Sequence, residues 1–464
     1  MMSLALAGSL VVTALLGYPV ASFLLAVRGA GSNSSWLKLW FSVGIGLGVA
    51  SVIFFLCTLA TGSVNKKFII VEALAVIALF AVRARIKTHS QREASQRFSI
   101  RALFRDHPLL MSLFCGSLVL QVFVWVLLTL QSPHGWWDAW GFWNMRARFI
   151  FRAGTRWKET FSAVETIHGD YPAFMQTSID RMWSYVGGET LAAPALLAFV
   201  FTFATVGLLV TTLAALRGRG QGLMGGLFLL STPLFIRHGA IQFADVPVGF
   251  FMLAAVAALN LADENSGNRG LLAMAGVLAS LAAWTKNEGL VFLIVLCFCY
   301  WLVDAIQQRR LPSMSGPLMF VAGALPVLLV LIYFKTKLAT PNELVAAQGR
   351  DTIVKLKTFS RYITIGEAFV EQAVRVKSIP LLVLPVYACF VGVEWSQIRR
   401  PAVGGTLLAL CLMLMGYFAV FLTTPVDLHL HLSGSLNRLL LQLWPTTLLL
   451  FFMVTRKEVL SAEY

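Results

Sequence analysis

Charge is scarce in this sequence, and acid is the scarcer sign. Charged side chains make up 13% of the 464 residues, with 22 Asp and Glu against 37 Lys and Arg. A soluble domain covers itself with roughly 25–35% charged surface residues, so this composition excludes an ordinary water-soluble fold. The chain also lacks a cysteine framework. Its six cysteines (57, 115, 297, 299, 389 and 411) all lie inside apolar runs, as small core residues do. Cys297 and Cys299 are two apart, which puts them on different faces of a helix and makes them a poor chelate. No nucleotide-binding loop is present, because the glycine-bearing RGRGQG at 217–222 has no Lys-Ser/Thr after it. No motif supports a Ser-His-Asp nucleophile, and no internal repeat or soluble domain interrupts the chain.

What the chain has is apolar length. Hydrophobic residues make up 58%, and mean hydropathy is +0.76. Thirteen apolar spans fall near 4–27, 41–61, 67–83, 109–130, 190–216, 221–236, 246–262, 270–285, 288–306, 317–336, 379–396, 402–423 and 437–454. Runs of about 20 apolar residues cross a bilayer as helices, and no strand pattern competes. The sequence therefore predicts an all-α polytopic transmembrane helical bundle of about thirteen spans, a single membrane domain over 1–464. The first run has no basic leader and is long for a signal peptide, so it is read as a retained span.

The net charge of +15 is not a nucleic-acid signal, and no nucleic-acid partner is expected. The basic residues fall mainly in short loops, where they set topology and meet anionic lipid. The linker Arg83 to Asp106 carries Arg83, Arg85, Lys87, Arg92, Arg97, Arg101 and Arg105, the strongest cytoplasmic marker. Counting onward, 217–220, 307–310, 397–400 and Arg456-Lys457 fall on the same side, and counting back puts the N-terminus outside. The other face receives 131–189, a first large extracytoplasmic loop expected to carry interfacial helices, and 337–378, a second outer segment. It also receives RHGAIQFADVP at 237–247, TKNEG at 285–289 and TTPVDLHLHLSGSLNR at 423–438.

Polar chemistry gathers on that face. The stretch WWDAWGFWNMRARFIFR at 136–152 follows an apolar run and holds one carboxylate, Asp138, among four tryptophans and several arginines. Trp136, Trp140 and Trp143 at i, i+4 and i+7 predict an aromatic stripe on an interfacial helix. Arg148 and Arg152 are four apart and share a face. An acid here acts as a general base toward an acceptor, or else is one member of an ordinary aromatic belt with snorkelling arginines. Asp245 precedes Pro247 at the head of a span, where it reads equally as an N-cap or as a second acid that orients an acceptor or a bound cation. Lys286 and Glu288 read as a paired turn or as an anion clamp. His429 and His431 point apart on a helix and align on a strand, and with no third ligand a zinc site is not expected. Arg438 is a seat for a lipid phosphate or a snorkelling side chain.

In order and side, these motifs resemble the polytopic GT-C glycosyltransferases. They are similar to a bacterial branch related to the aminoarabinose and protein mannosyl transferases, the glycosyltransferase family 39-like group. The resemblance covers roughly 109–454, with its best motifs at 136–148, 171–176 (YPAFMQ), 243–247 and 284–289. It implies inverting transfer of a sugar from a polyprenyl-phosphate donor to a lipid, glycan or protein acceptor, at the extracytoplasmic face of a bacterial cytoplasmic (inner) membrane. Asp138 matches the catalytic loop acid, and Asp245 matches a second acid in position and context. Lys286, Glu288, Arg148, His429 and Arg438 fall to binding of the donor phosphate and substrate, and Trp137, Trp140 and Tyr171 to the aromatic lining on the acceptor side. No cofactor is expected, although two acids on one side are compatible with a divalent cation. One departure stands out: three further apolar runs come before the span that leads into the acidic loop, where such enzymes usually have that span first. Two other classes compete: a flippase or transporter of a lipid-linked glycan, and an O-antigen ligase or polymerase working through His429 or His431.

Overall fold

Pro108 opens a 24-residue helix, Pro108–Gln131, from the first helical position, where its missing N–H leaves no carbonyl unpaired. This computed structural model describes residues 2–25, 35–85, 105–162, 168–309, 314–375 and 379–457. Among the described residues the chain is helical and without strands. Nine described helices are long and apolar enough to cross a membrane: Met2–Leu24, Ser35–Thr61, Pro108–Gln131, Ala192–Leu216, Asp245–Glu264, Asn287–Gln308, Ser315–Lys337, Pro401–Thr423 and Leu428–Val454.

Four of the thirteen expected spans are not among these nine. Lys67–Arg85 is a helix, but Glu72 and its terminal arginines keep it out of the nine. The run 221–236 breaks into Arg219–Leu230 and Pro233–Ala240, because Pro233 has no N–H for the preceding turn. Arg269–Thr285 is apolar but only 17 residues long. The run 379–396 yields only Val383–Val391, nine residues or about 14 Å, far short of a bilayer.

The outer segments also differ from simple loops. The segment 423–438 is mostly the start of the last helix, capped by Asp427, whose side chain accepts from Leu430 N at 2.9 Å. The 131–189 segment holds a π turn, Ala139–Trp143, followed by the helices Asn144–Arg152 and Phe174–Val186. The second outer segment forms the short helices Glu343–Ala346, Arg350–Lys357 and Phe359–Val374. Much of the basic linker, including Lys87, Arg92, Arg97 and Arg101, lies outside the described residues.

The core is the helix Asp245–Glu264, buried along its membrane-spanning length. Its run of alanines lets the Ala192–Leu216, Arg269–Thr285 and Leu428–Val454 helices close around it. By contrast, Pro108–Gln131 buries only Met111 and Trp125 and turns leucine and valine outward, the surface hydrocarbon favours. Several basic segments meet at one end of the bundle. Arg219 pairs with Asp106, Arg217 with Glu394, and Arg400 with Glu264 at the far end of the core helix. Asp245 opens that same helix at the opposite end.

The first two helices dock on Phe174–Val186, and Lys67–Arg85 reaches it through Glu72. Arg181 pairs with Glu72 at 2.5 Å and also donates to Thr13 Oγ1 at 3.1 Å and Ser9 O at 3.2 Å. Tyr185 donates to Glu72 at 2.7 Å. A buried charge in this setting is tolerable only with such partners.

Candidate functional site

Asp138 is placed by stitching across 100 residues of chain. Trp136 N donates to Ile241 O at 3.1 Å, and Asn144 Nδ2 donates to Gln242 Oε1 at 2.8 Å. Gln242, in a left-handed conformation (φ +64°), returns a bond from Nε2 to Pro133 O at 3.2 Å. Gly135 (φ +77°) makes this approach feasible: a Cβ there would lie 2.4 Å from Ala139 Cβ and 2.8 Å from Ile241 O.

The π turn then undoes the predicted stripe. A π turn closes i to i+5 bonds and shifts the following side chains around the axis. Trp136, Trp137 and Trp140 stay exposed, whereas Trp143 is fully buried and stacks on Tyr171 at 5.4 Å. Trp137 and Trp140 meet edge to face at 4.9 Å on the outer surface. The tryptophans thus divide between an exposed face and the core.

Asp245 is the hub. Its Oδ1 accepts from Lys286 Nζ at 2.9 Å and Gln442 Nε2 at 2.7 Å, and its Oδ2 accepts from Arg438 Nε at 3.1 Å. His238 Nδ1 stands 3.7 Å from the same Oδ2. Asp245 therefore does not cap its helix, since Ala244 holds the cap position without a side-chain bond. Lys286 also reaches Glu288 Oε1 at 3.1 Å and lies 5.7 Å from the Tyr171 ring centroid. Gly289 permits this turn, because a Cβ there would stand 2.0 Å from Ala282 O. Arg438 lies over the Phe243 ring at 4.7 Å, and its second donor, Nη2, bonds Asp138 Oδ2.

Asp138 itself is 7% exposed at the side chain, and its Oδ1 has no bond among the described residues. Burial pushes its carboxyl above the usual range; Arg438 opposes that shift and Asp245 adds to it. Tyr171 is raised by burial as well.

A polar knot lies beside this cluster. Asp170 Oδ2 accepts from Asn287 Nδ2 at 2.5 Å and from Asn342 Nδ2 at 2.6 Å. Lys335 Nζ donates to Asn287 Oδ1 and to Asp170 O, each at 2.5 Å. His168 N donates to Glu343 Oε1 at 3.1 Å, and burial holds the His168 imidazole below its ordinary value. Asp170 and Asn287 adjoin Tyr171 and Lys286 in sequence, so the knot fixes both while anchoring the start of the second outer segment.

Of the residues singled out from sequence, Asp138, Asp245, Lys286, Glu288, Tyr171 and Arg438 come together. Arg148 does not join them. It pairs with Glu189 at 3.4 Å, as Arg152 does at 2.5 Å, so the i, i+4 pair shares one acid elsewhere. His429 is exposed, and His431 bonds Thr424 Oγ1 at 2.8 Å. On the helix Leu428–Val454 their i, i+2 spacing sends the rings apart. The sequence reading missed Gln442, His238, Asp170, Asn287 and Lys335. Gln442 had a signal, since it follows Arg438 by one helical turn and shares its face.

Among the described residues no group of three or more His, Cys, Asp or Glu side chains is arranged to hold a metal ion. The cluster can do two things: hold a guanidinium and an ammonium rigidly in a dry wall, and present one carboxylate oxygen for proton transfer. The chain matches no protein-family model, no curated protein and no solved structure.

Proposed function

We propose that this multi-pass membrane protein is a GT-C-type glycosyltransferase that moves a sugar, with inversion, from a polyprenyl-phosphate donor to a lipid, glycan or protein acceptor. The observation that carries this reading is Asp138, with one oxygen on Arg438 and the other unpartnered beside buried cations. In the reaction the acceptor oxygen attacks the sugar C1 as the bond from C1 to the phosphate oxygen breaks. The bond's electron pair leaves with the lipid phosphate, whose charge Arg438 meets, and the acceptor proton passes to Asp138 Oδ1. A phosphate leaving group is already activated, so positioning and charge stabilisation supply most of what remains.

Asp245 takes a supporting part. Both its oxygens are committed to Lys286, Gln442 and Arg438, so it orients the cations and accepts no proton from substrate. Trp137 and Trp140 suit an interfacial acceptor approach, since exposed indoles settle at the headgroup level. The location that goes with this chemistry is a bacterial cytoplasmic membrane, with Asp138 on the outer face.

The test is transfer of radiolabelled sugar in membranes supplied with polyprenyl-phosphate sugars, comparing wild type with Asp138→Asn at matched expression. Transfer by wild type and its loss in the variant is the expected result. Equal transfer by both proteins overturns Asp138 as the base, and transfer by neither across a panel of donors overturns the transferase reading.

A further inference from the structure

One guanidinium serves two carboxylates in this cluster, and its two bonds are unequal in surroundings. Arg438 Nε is held by Asp245, whose side chain is fully buried. Arg438 Nη2 is held by Asp138 at the more open edge, and the arginine side chain is 20% exposed while Lys286 is 4% exposed. An anion arriving from outside therefore meets Arg438 before Lys286. The cluster is also rich in acid, with Asp138, Asp245 and Glu288 against Lys286 and Arg438. A phosphate added to this arrangement needs one carboxylate to leave, and Asp245 and Lys286 are too enclosed to be the ones that move.

We propose that the phosphodiester of the lipid-linked donor seats on Arg438 by displacing Asp138, so that the acid becomes free to act only after the donor phosphate is in place. The inference rests on the lipid-phosphate reading of the site and adds an order of events to it. Arg438 keeps its Nε bond to Asp245 throughout, so the fork stays aimed while Nη2 exchanges one oxygen partner for another. The phosphodiester carries one charge, as Asp138 does, and gains a second as the bond from C1 breaks, so the exchange is favoured most strongly while Asp138 must act. Asp138, relieved of its cation, becomes a stronger base in the same buried position, and the proton it then takes is the one released by the acceptor. Before donor arrives, the Arg438–Asp138 pair holds the base out of action. This protects the chain from spending its donor on water when the seat is half filled.

The experiment is calorimetric titration of the purified full-length protein in detergent with two probes, inorganic phosphate and farnesyl monophosphate, the latter matching the lipid phosphate that leaves from the same seat. The proteins are wild type, Asp138→Asn, Arg438→Gln and Arg438→Lys, each first checked by its thermal unfolding midpoint. Removing the competing carboxylate is expected to tighten farnesyl phosphate by ~10-fold in Asp138→Asn, about 1.4 kcal/mol. Arg438→Gln is expected to lose most binding, and Arg438→Lys to bind with no further gain when combined with Asp138→Asn. Binding to wild type that is unchanged or weaker in Asp138→Asn overturns the exchange and leaves the phosphate reading intact. Absence of binding by either probe to any folded variant overturns the lipid-phosphate reading itself. Equal affinity for both probes shows a seat for free phosphate and likewise overturns the lipid donor.

Discussion

Arg438 Nε lies 3.1 Å from Asp245 Oδ2, a bond that joins the last long helix to the first turn of the core helix across 193 residues. Around it the bundle holds a charge cluster where each member is partnered by another. Its cost in desolvation is offset only while the set is complete.

Asp245→Ala leaves Lys286 and Arg438 with no central acid, and loss of one partner in a buried pair costs about 3–5 kcal/mol. Thermal unfolding in detergent should show a large drop in midpoint. A variant as stable as wild type would remove Asp245 from its place as hub.

Arg181→Met strands Glu72, and Glu72→Gln strands Arg181, so each single change should destabilise by about 3–5 kcal/mol. The double variant removes both charges together and should recover most of that loss. The quantity to measure is the coupling in a double-mutant cycle, and additive losses would contradict a shared pair.

Transfer activity should fall on the acid side at a higher pH than an ordinary carboxylate would give. Burial raises Asp138, and the base is active only when ionised, so activity is lost as pH drops through that raised value. A pH profile of the rate should place this limb above ~4, the usual Asp value, and Asp138→Asn should abolish the limb along with ~100-fold or more of the rate. A limb at the ordinary value would show that Asp138 is not the titrating group.

Asp170→Ala removes the acceptor for Asn287 and Asn342 and a partner for Lys335. The second outer segment then loses its anchor near Asn342, and limited proteolysis should cut around 338–350 faster than in wild type. Asp170→Asn, which keeps an acceptor oxygen, should fall between the two. Unchanged cleavage in both variants would show that the helix Phe359–Val374 holds the segment by itself.

Gly289→Ala places a methyl 2.0 Å from Ala282 O, a backbone atom that moves only if the turn opens. Overpacking of this kind costs about 1–3 kcal/mol, and it should also weaken phosphate binding by tilting Lys286. Normal stability and binding together would mean that the turn relaxes freely.

Much of the frame was legible because hydrocarbon imposes its own rule. Every backbone group must be paired within its own segment, so apolar length alone marks the helices Ser35–Thr61, Ala192–Leu216 and Asn287–Gln308. The same rule is a weaker guide where length and hydropathy are marginal. At Leu230–Pro233 and Val383–Val391 the breaks depend on a proline and on packing that hydropathy does not record.

By itself the sequence determined that acids and bases of 138, 245, 286, 288 and 438 belong at one level, since they flank apolar spans at corresponding ends. It could not decide which of them touch. That choice belongs to the tertiary structure, because a carboxylate finds its partner through bonds between segments far apart in sequence. Arg438 reaches Asp245 and Asp138 through the close packing of the last helix on the core helix and the stitching of Gln242 to Asn144. Arg148, equally basic and far nearer to Asp138 in sequence, turns instead to Glu189. A charge in a dry interior is held by the partner that the packing brings within reach, and only the folded chain sets that distance.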